Sequence, residues 1–312
     1  MEFPKFVDVV EEGPREGFQM ETEIFPIEER AALVNRLADT GLSKIQVGAF
    51  VGSRVPQMAD TAQLFDLIRK REGTRYTALW LNERGFKRAW ATPKVDLDGK
   101  LMFYSSDAFC RLNNGCGMAE MQERQRDWLA LYDDANLPLE TAYIMTSFGC
   151  NIQGNVPVED VLAPILFVRD ICESEGRETP KIVLGDTVGW ANPETIKERV
   201  AAVRQTWPGV RVGLHLHDTR GLGIANVYAA LQIGVDLFEG SVGGLGGCPF
   251  AGIEDAKGAG NVATEEVVFL CHSLGIETGI DLDALVDAAL MAERIVGRRL
   301  GGRVMHAGIR NN

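Results

Sequence analysis

The 312-residue chain is short of positive charge: 32 lysines and arginines stand against 44 aspartates and glutamates, a formal net charge of −12. No basic run of useful length occurs, which excludes a broad nucleic-acid surface, because holding phosphates needs clustered Lys and Arg. An anionic substrate would need a local basic or metal-bearing pocket. No apolar stretch is long enough to span a bilayer, so no membrane anchor is expected. The opening MEFPKFVDVVEEGPREG lacks a basic segment followed by an apolar run, and it reads as part of the fold, not as a secretion signal. Six cysteines (Cys110, Cys116, Cys150, Cys172, Cys248 and Cys271) form no CxxC pair. Free thiols in a reducing compartment fit this better than a disulfide or zinc framework, and the expected location is the cytoplasm. Linkers and low-complexity tracts are also missing, so residues 1–312 are expected to form one domain.

What the chain does have is alternation. Apolar, β-branched runs at 5–11, 44–49, 75–81, 100–105, 139–146, 181–185, 210–216 and 235–241 read as eight strands. Residues 27–40, 60–71, 117–135, 158–176, 193–206 and 222–233 carry helical periodicity between them. Regular β/α alternation implies a parallel sheet, and eight such units close into a (β/α)8 TIM barrel, an α/β fold, over about 5–275. A further amphipathic helix at 281–300 is expected in an extension over about 276–312, packed on the barrel or on a second subunit. The tail GRVMHAGIRNN reads as loosely held.

Sites in such barrels lie at the C-terminal ends of the strands. Arg15, Gln46, Asp186, His215, His217 and the loop from Gly243 to Cys248 all fall there. His215 and His217 end an apolar run, and because strand side chains repeat every second residue, both imidazoles should point to one side. In isolation the pair could be hydrogen-bonded core histidines. At a strand end, with a carboxylate available from the first strand, a divalent-metal site is the better reading. Imidazole, carboxylate, amide oxygen and open water positions suit Mg2+ or Mn2+, with Zn2+ left open.

Three other stretches carry a structural and a chemical reading side by side. EEGPREG could be a solvated turn with a surface ion pair, or Arg15 could stabilise an oxyanion while the adjacent carboxylate holds metal. Asp186, in LGDT, could cap the following helix or serve chemistry at the barrel mouth, and Asn261 could cap the helix starting near Ala263. GGLGGCP is too glycine-dense for a helix or strand interior. The lysine and serine of a P-loop are absent and no GxGxxG follows the first strand, so the segment is read as a flexible carrier for Cys248.

HLHDTRGLGIAN, GGLGGCPF with AGNVATE after it, LGDTVGWANP, and EEGPREGFQ with AFVGSRVPQM resemble the hydroxymethylglutaryl-CoA lyase family of metal-dependent TIM-barrel lyases. The likeness spans nearly the whole chain in the same order. It implies Glu16, His215, His217 and Asn261 as metal ligands. Arg15, Asp186, His215 and Cys248 would be catalytic, with Gln46, Gln19 and Gly247 around the substrate. It also implies an acyl-CoA substrate, a homodimer, and retro-Claisen cleavage of a 3-hydroxyacyl-CoA to acetyl-CoA and a keto acid. The compound would be hydroxymethylglutaryl-CoA or a relative such as citramalyl-CoA. The family usually has aspartate at position 16 and glutamate at position 46. Gln46 is therefore expected to leave Arg15 with less counter-charge and freer to meet a substrate carboxylate. A condensing synthase or aldolase of the same superfamily is the second reading, weakened by the lack of a C-terminal regulatory domain. A non-catalytic CoA-binding homologue is the third.

Overall fold

A computed structural model describes residues 3–52, 55–247 and 260–309. The eight expected strands are all present: β1 (Asp8–Glu11), β2 (Lys44–Phe50), β3 (Arg75–Trp80), β4 (Gly99–Tyr104), β5 (Leu139–Met145), β6 (Lys181–Asp186), β7 (Val212–Leu216) and β8 (Leu237–Gly240). The chain divides into two compact units, one of Pro4–Leu97 with Phe238–Asn312 and one of Met1–Phe3 with Asp98–Leu237.

In the first unit the strand order is β3-β2-β1-β8. β1 pairs in parallel with β2 (Glu11 opposite Ile45) and β2 in parallel with β3. β1 is shorter than expected because the chain before it runs beside residue 277: Val7 N donates to the Glu277 carbonyl at 2.9 Å. The β2–β3 register slips between Gln46 and Gly48, where one extra residue of β2 stands against Thr77 and Ala78. Such a bulge re-aims neighbouring side chains. The helix Ile27–Ala38 buries Leu33, Val34 and Leu37 completely. It packs against the C-terminal helix Leu282–Val296, whose buried stripe is Leu285, Ala288, Ala289 and Ala292. The small residues at 288, 289 and 292 let the two helices approach closely, so this helix has its partner within its own unit. The tail is better held than expected. Val304–Ala307 forms a helical turn, Arg303 N donates to Glu266 Oε1 at 2.6 Å, and His306 Nε2 lies 2.8 Å from Glu293 Oε2.

In the second unit β4, β5, β6 and β7 pair in sequence order, all parallel, with Asp186 of β6 opposite Leu216 of β7. Helices Met118–Asp134, Val158–Glu175, Pro193–Thr206 and Gly223–Gln232 connect and cover them. Two short helices, Glu83–Ala91 in the first unit and Asp107–Asn114 in the second, were not expected. Their start signals are plain in retrospect: Asn82 Oδ1 accepts from Gly85 N and Ser106 Oγ from Phe109 N, each satisfying an otherwise orphaned amide. Among the described residues no helix is long and apolar enough to cross a membrane.

Candidate active site

In the first unit the chemistry gathers where β1 ends. GPREG folds into one tight helical turn, and its glycines are there for closeness. A Cβ on Gly13 would fall 2.6 Å from Glu11 Oε1, and one on Gly17 2.7 Å from the Leu245 Cβ. The turn presents Arg15, whose side chain is only 14% exposed, which rules out the solvated surface pair. Its Nη2 meets Glu12 Oε2 at 2.6 Å, its Nη1 meets Glu16 Oε2 at 3.1 Å, and its Nε donates to Gln46 Oε1. Gln46 in turn donates from Nε2 to Glu12 Oε1 at 3.2 Å. Burial alone would lower the Arg15 pKa, but the Glu16 and Glu12 carboxylates, with Glu239 beyond them, outweigh it and hold the guanidinium above its ordinary value.

This corrects the expectation that Gln46 leaves the arginine short of counter-charge. Glu12, 1% exposed, supplies the carboxylate that Gln46 lacks. Glu12 was missed because nothing in EEGPREG says which of two adjacent acids turns toward Arg15. Alternation along the strand end sends them different ways. Glu11, fully buried, accepts from Gly13 N (2.7 Å), Val242 N (2.9 Å) and Thr264 Oγ1 (2.6 Å). It thereby ties the GPREG turn to the base of the glycine-rich segment. Burial pushes its carboxyl up to about 7 against these three donors. Glu265, also missed, accepts from Gly243 N at 3.1 Å and is pushed by burial up to about 8, with Glu11 and Glu266 adding to the rise.

The glycine-rich segment runs beside Glu16: a Cβ on Gly246, which sits at φ +93, would lie 3.2 Å from Glu16 Cγ. Cys248, the thiol this segment carries, lies outside the described residues. The other five cysteines are buried and unpaired, and burial pushes the thiols of Cys110 and Cys271 up to about 12, as inert core thiols require. Asn261 is 2% exposed, and neither atom of its amide has a hydrogen-bond partner among the described residues. It is not a helix cap: the helix Thr264–Ser273 starts from Ala263 with no side-chain cap. The amide oxygen of Gln19 is likewise buried without a partner among the described residues.

In the second unit His215 and His217 stand at the end of β7, 5% and 3% exposed, with ring centroids 5.1 Å apart and planes inclined at 66°. His217 Nδ1 is 2.9 Å from the Asp186 carbonyl oxygen. A carbonyl only accepts, so Nδ1 carries a proton; in the neutral ring that leaves the lone pair on Nε2, the tautomer a metal-binding imidazole needs. Asp186 does not cap the next helix. Asn192 does, in a capping box with Thr195. The Asp186 carboxylate instead accepts from Trp190 N (2.7 Å) and Ala191 N (3.1 Å), and burial raises it to about 6 against those bonds and the nearby His217. The same turn carries Trp190, 40% exposed, with Arg220 stacked 5.1 Å from its ring.

The sequence matches the HMGL-like family over residues 6–291. It is 36% identical over 310 residues to the mitochondrial hydroxymethylglutaryl-CoA lyase of Gallus gallus, 99% of each chain. The solved HMG-CoA lyase of Bacillus subtilis matches with a TM-score of 0.89 at 32% identity, over 98% of this chain and 99% of that one. An HMG-CoA lyase from Acinetobacter baumannii, solved in complex with coenzyme A and 3-methylmalate, matches at 0.86 and 30% identity, over 99% and 97%. The fold is thus the α/β (β/α)8 TIM barrel that the strand and helix pattern predicts. Agreement that runs almost end to end, in sequence and in fold alike, places the chain in the HMGL-like family.

Proposed function

We propose that the protein is a divalent-cation-dependent carbon–carbon lyase. It would cleave a 3-hydroxyacyl-CoA, hydroxymethylglutaryl-CoA or a close relative such as citramalyl-CoA, into acetyl-CoA and a keto acid. What supports the reading is the chemistry of four side chains that would together hold the ion: the Glu16 carboxylate and the buried Asn261 amide, which has no hydrogen-bond partner among the described residues, in the first unit, and the His215 and His217 imidazoles in the second. A carboxylate, two imidazoles and an amide oxygen fit a divalent ion with positions left for substrate, Mg2+ or Mn2+ before Zn2+. Support for the acyl-CoA comes from the Acinetobacter relative, solved with coenzyme A and a hydroxy acid.

Bound there, the cation would supply the Lewis acidity that lowers the pKa of the substrate hydroxyl. The Asp186 carboxylate, raised to about 6 and oriented by two backbone amides, takes the hydroxyl proton. As the C–C bond breaks, its electron pair becomes the thioester enolate and the hydroxyl carbon becomes the ketone. The Arg15 guanidinium, held in place by Gln46, Glu12 and Glu16, would stabilise the charge that develops on the enolate oxygen. The Cys248 thiol would then protonate the enolate carbon. The chain is read as one barrel domain, homodimeric and cytoplasmic, with sedimentation and cell fractionation as the checks.

A panel of 3-hydroxyacyl-CoA thioesters, assayed for released acetyl-CoA with Mg2+, with Mn2+ and with chelator, tests the proposal. Metal-dependent release from one of them is expected, and no release from any overturns it. Failure to bind either ion would favour the non-catalytic CoA-binding alternative.

A further inference from the structure

Arg15 is held by a closed ring of three side chains, and the direction of each hydrogen bond in it is determined. The guanidinium can only donate, so Gln46 must turn Oε1 to Arg15 Nε, and its NH2 then faces Glu12 Oε1 at 3.2 Å. Glu12 closes the ring by accepting from Arg15 Nη2 at 2.6 Å through its other oxygen. All three lie in the first unit, and Glu12 and Gln46 are 1% and 3% exposed. Water therefore cannot readily replace a missing partner, and an unpaired group here costs its full desolvation. The ring contains one acid and one amide.

We infer that Glu12 is the positioning residue that sets the guanidinium of Arg15, and that positions 12 and 46 act as one unit which must hold one carboxylate and one carboxamide, in either order. With glutamine at 12 and glutamate at 46, the position-12 oxygen still accepts from Arg15 Nη2 and the position-46 carboxylate still accepts from Nε. Only the bond between positions 12 and 46 reverses direction. With two amides, NH2 faces NH2 unless one turns over and loses Arg15. With two acids, carboxylate faces carboxylate at about 3 Å, where like charges repel strongly. Each single exchange therefore breaks the ring, and the double exchange rebuilds it.

The inference deepens the lyase reading and rests on it for what Arg15 does, so one of its two measurements is independent of turnover. In chelator-treated protein, E12Q and Q46E should each lower the urea unfolding midpoint, and E12Q/Q46E should return it toward the starting value. In the acetyl-CoA release assay, E12Q should lose kcat about a hundredfold with KM little changed, the scale of cost of misplacing a reacting group by about 1 Å. The double variant should recover most of that loss. A double variant whose midpoint falls by the sum of the two single effects overturns the inference, whatever the activity. So does a double variant that regains its midpoint but stays as slow as E12Q. If no variant and no parent turns over, the lyase reading fails and the unfolding cycle alone decides whether 12 and 46 are one unit.

Discussion

Glu11 offers a stability switch that can be worked through from its surroundings. Burial pushes its carboxyl up to about 7 from an ordinary 4.5. At 1.36 kcal/mol per pH unit, ionising it inside the fold costs about 3 kcal/mol. Because the folded value is the higher one, this stabilisation is complete below about pH 4.5, declines as the unfolded chain ionises first, and is gone above about pH 7. Glu11→Gln removes the titration and keeps the shape. The amide oxygen can stand where Oε1 accepts from Gly13 N and Val242 N, and the NH2 replaces Oε2 opposite the Thr264 hydroxyl, which turns to accept. The variant should exceed the parent by less than about 1 kcal/mol near pH 5 and by about 3 kcal/mol at pH 9. A residual decline toward pH 8 should persist in both, from Glu265. Glu11→Ala is the contrast: it strands two buried amides at about 1–3 kcal/mol each and should destabilise at every pH. Urea unfolding in chelator, followed by tryptophan fluorescence from pH 5 to 9, measures all three. Parent and Glu11→Gln curves that stay parallel over that range would refute the assignment of a protonated, buried Glu11.

Three further outcomes follow from the site. Asn261→Leu replaces a buried amide that has no partner among the described residues. Metal-free protein should become about 1 kcal/mol more stable, while Mn2+ affinity, read by calorimetry, should fall at least tenfold; unchanged affinity would remove Asn261 from the ligand set. Arg15→Lys should cut kcat/KM about a hundredfold or more, because an ammonium cannot bridge Glu12, Glu16 and Gln46 as the planar fork does. A loss under tenfold would refute that. Cys248→Ala should lower kcat far more than it raises KM, and turnover at the parent rate would exclude the thiol as proton donor.

The fold was legible because its signals are local. Eight β-branched runs separated by helical periods need no tertiary information, and the two helices that escaped notice are short ones whose evidence lay in single capping residues, Asn82 and Ser106. The His215–His217 pair was legible for the same reason, since a period of two is a property of one strand. The surroundings of Arg15 were not. Taken alone, glutamine at position 46 subtracts a negative charge, and from that the arginine should be left underbalanced. The carboxylate that balances it comes from Glu12, three residues before Arg15 and thirty-four before Gln46. Only the fold brings β1 and β2 side by side, and only alternation at the end of β1 turns Glu12 and not Glu11 toward the guanidinium. A buried cation constrains the total charge and the donor pattern around it, not the identity of any one neighbour. A change of acid to amide at such a site therefore has no definite sign until every side chain in the same ring is counted.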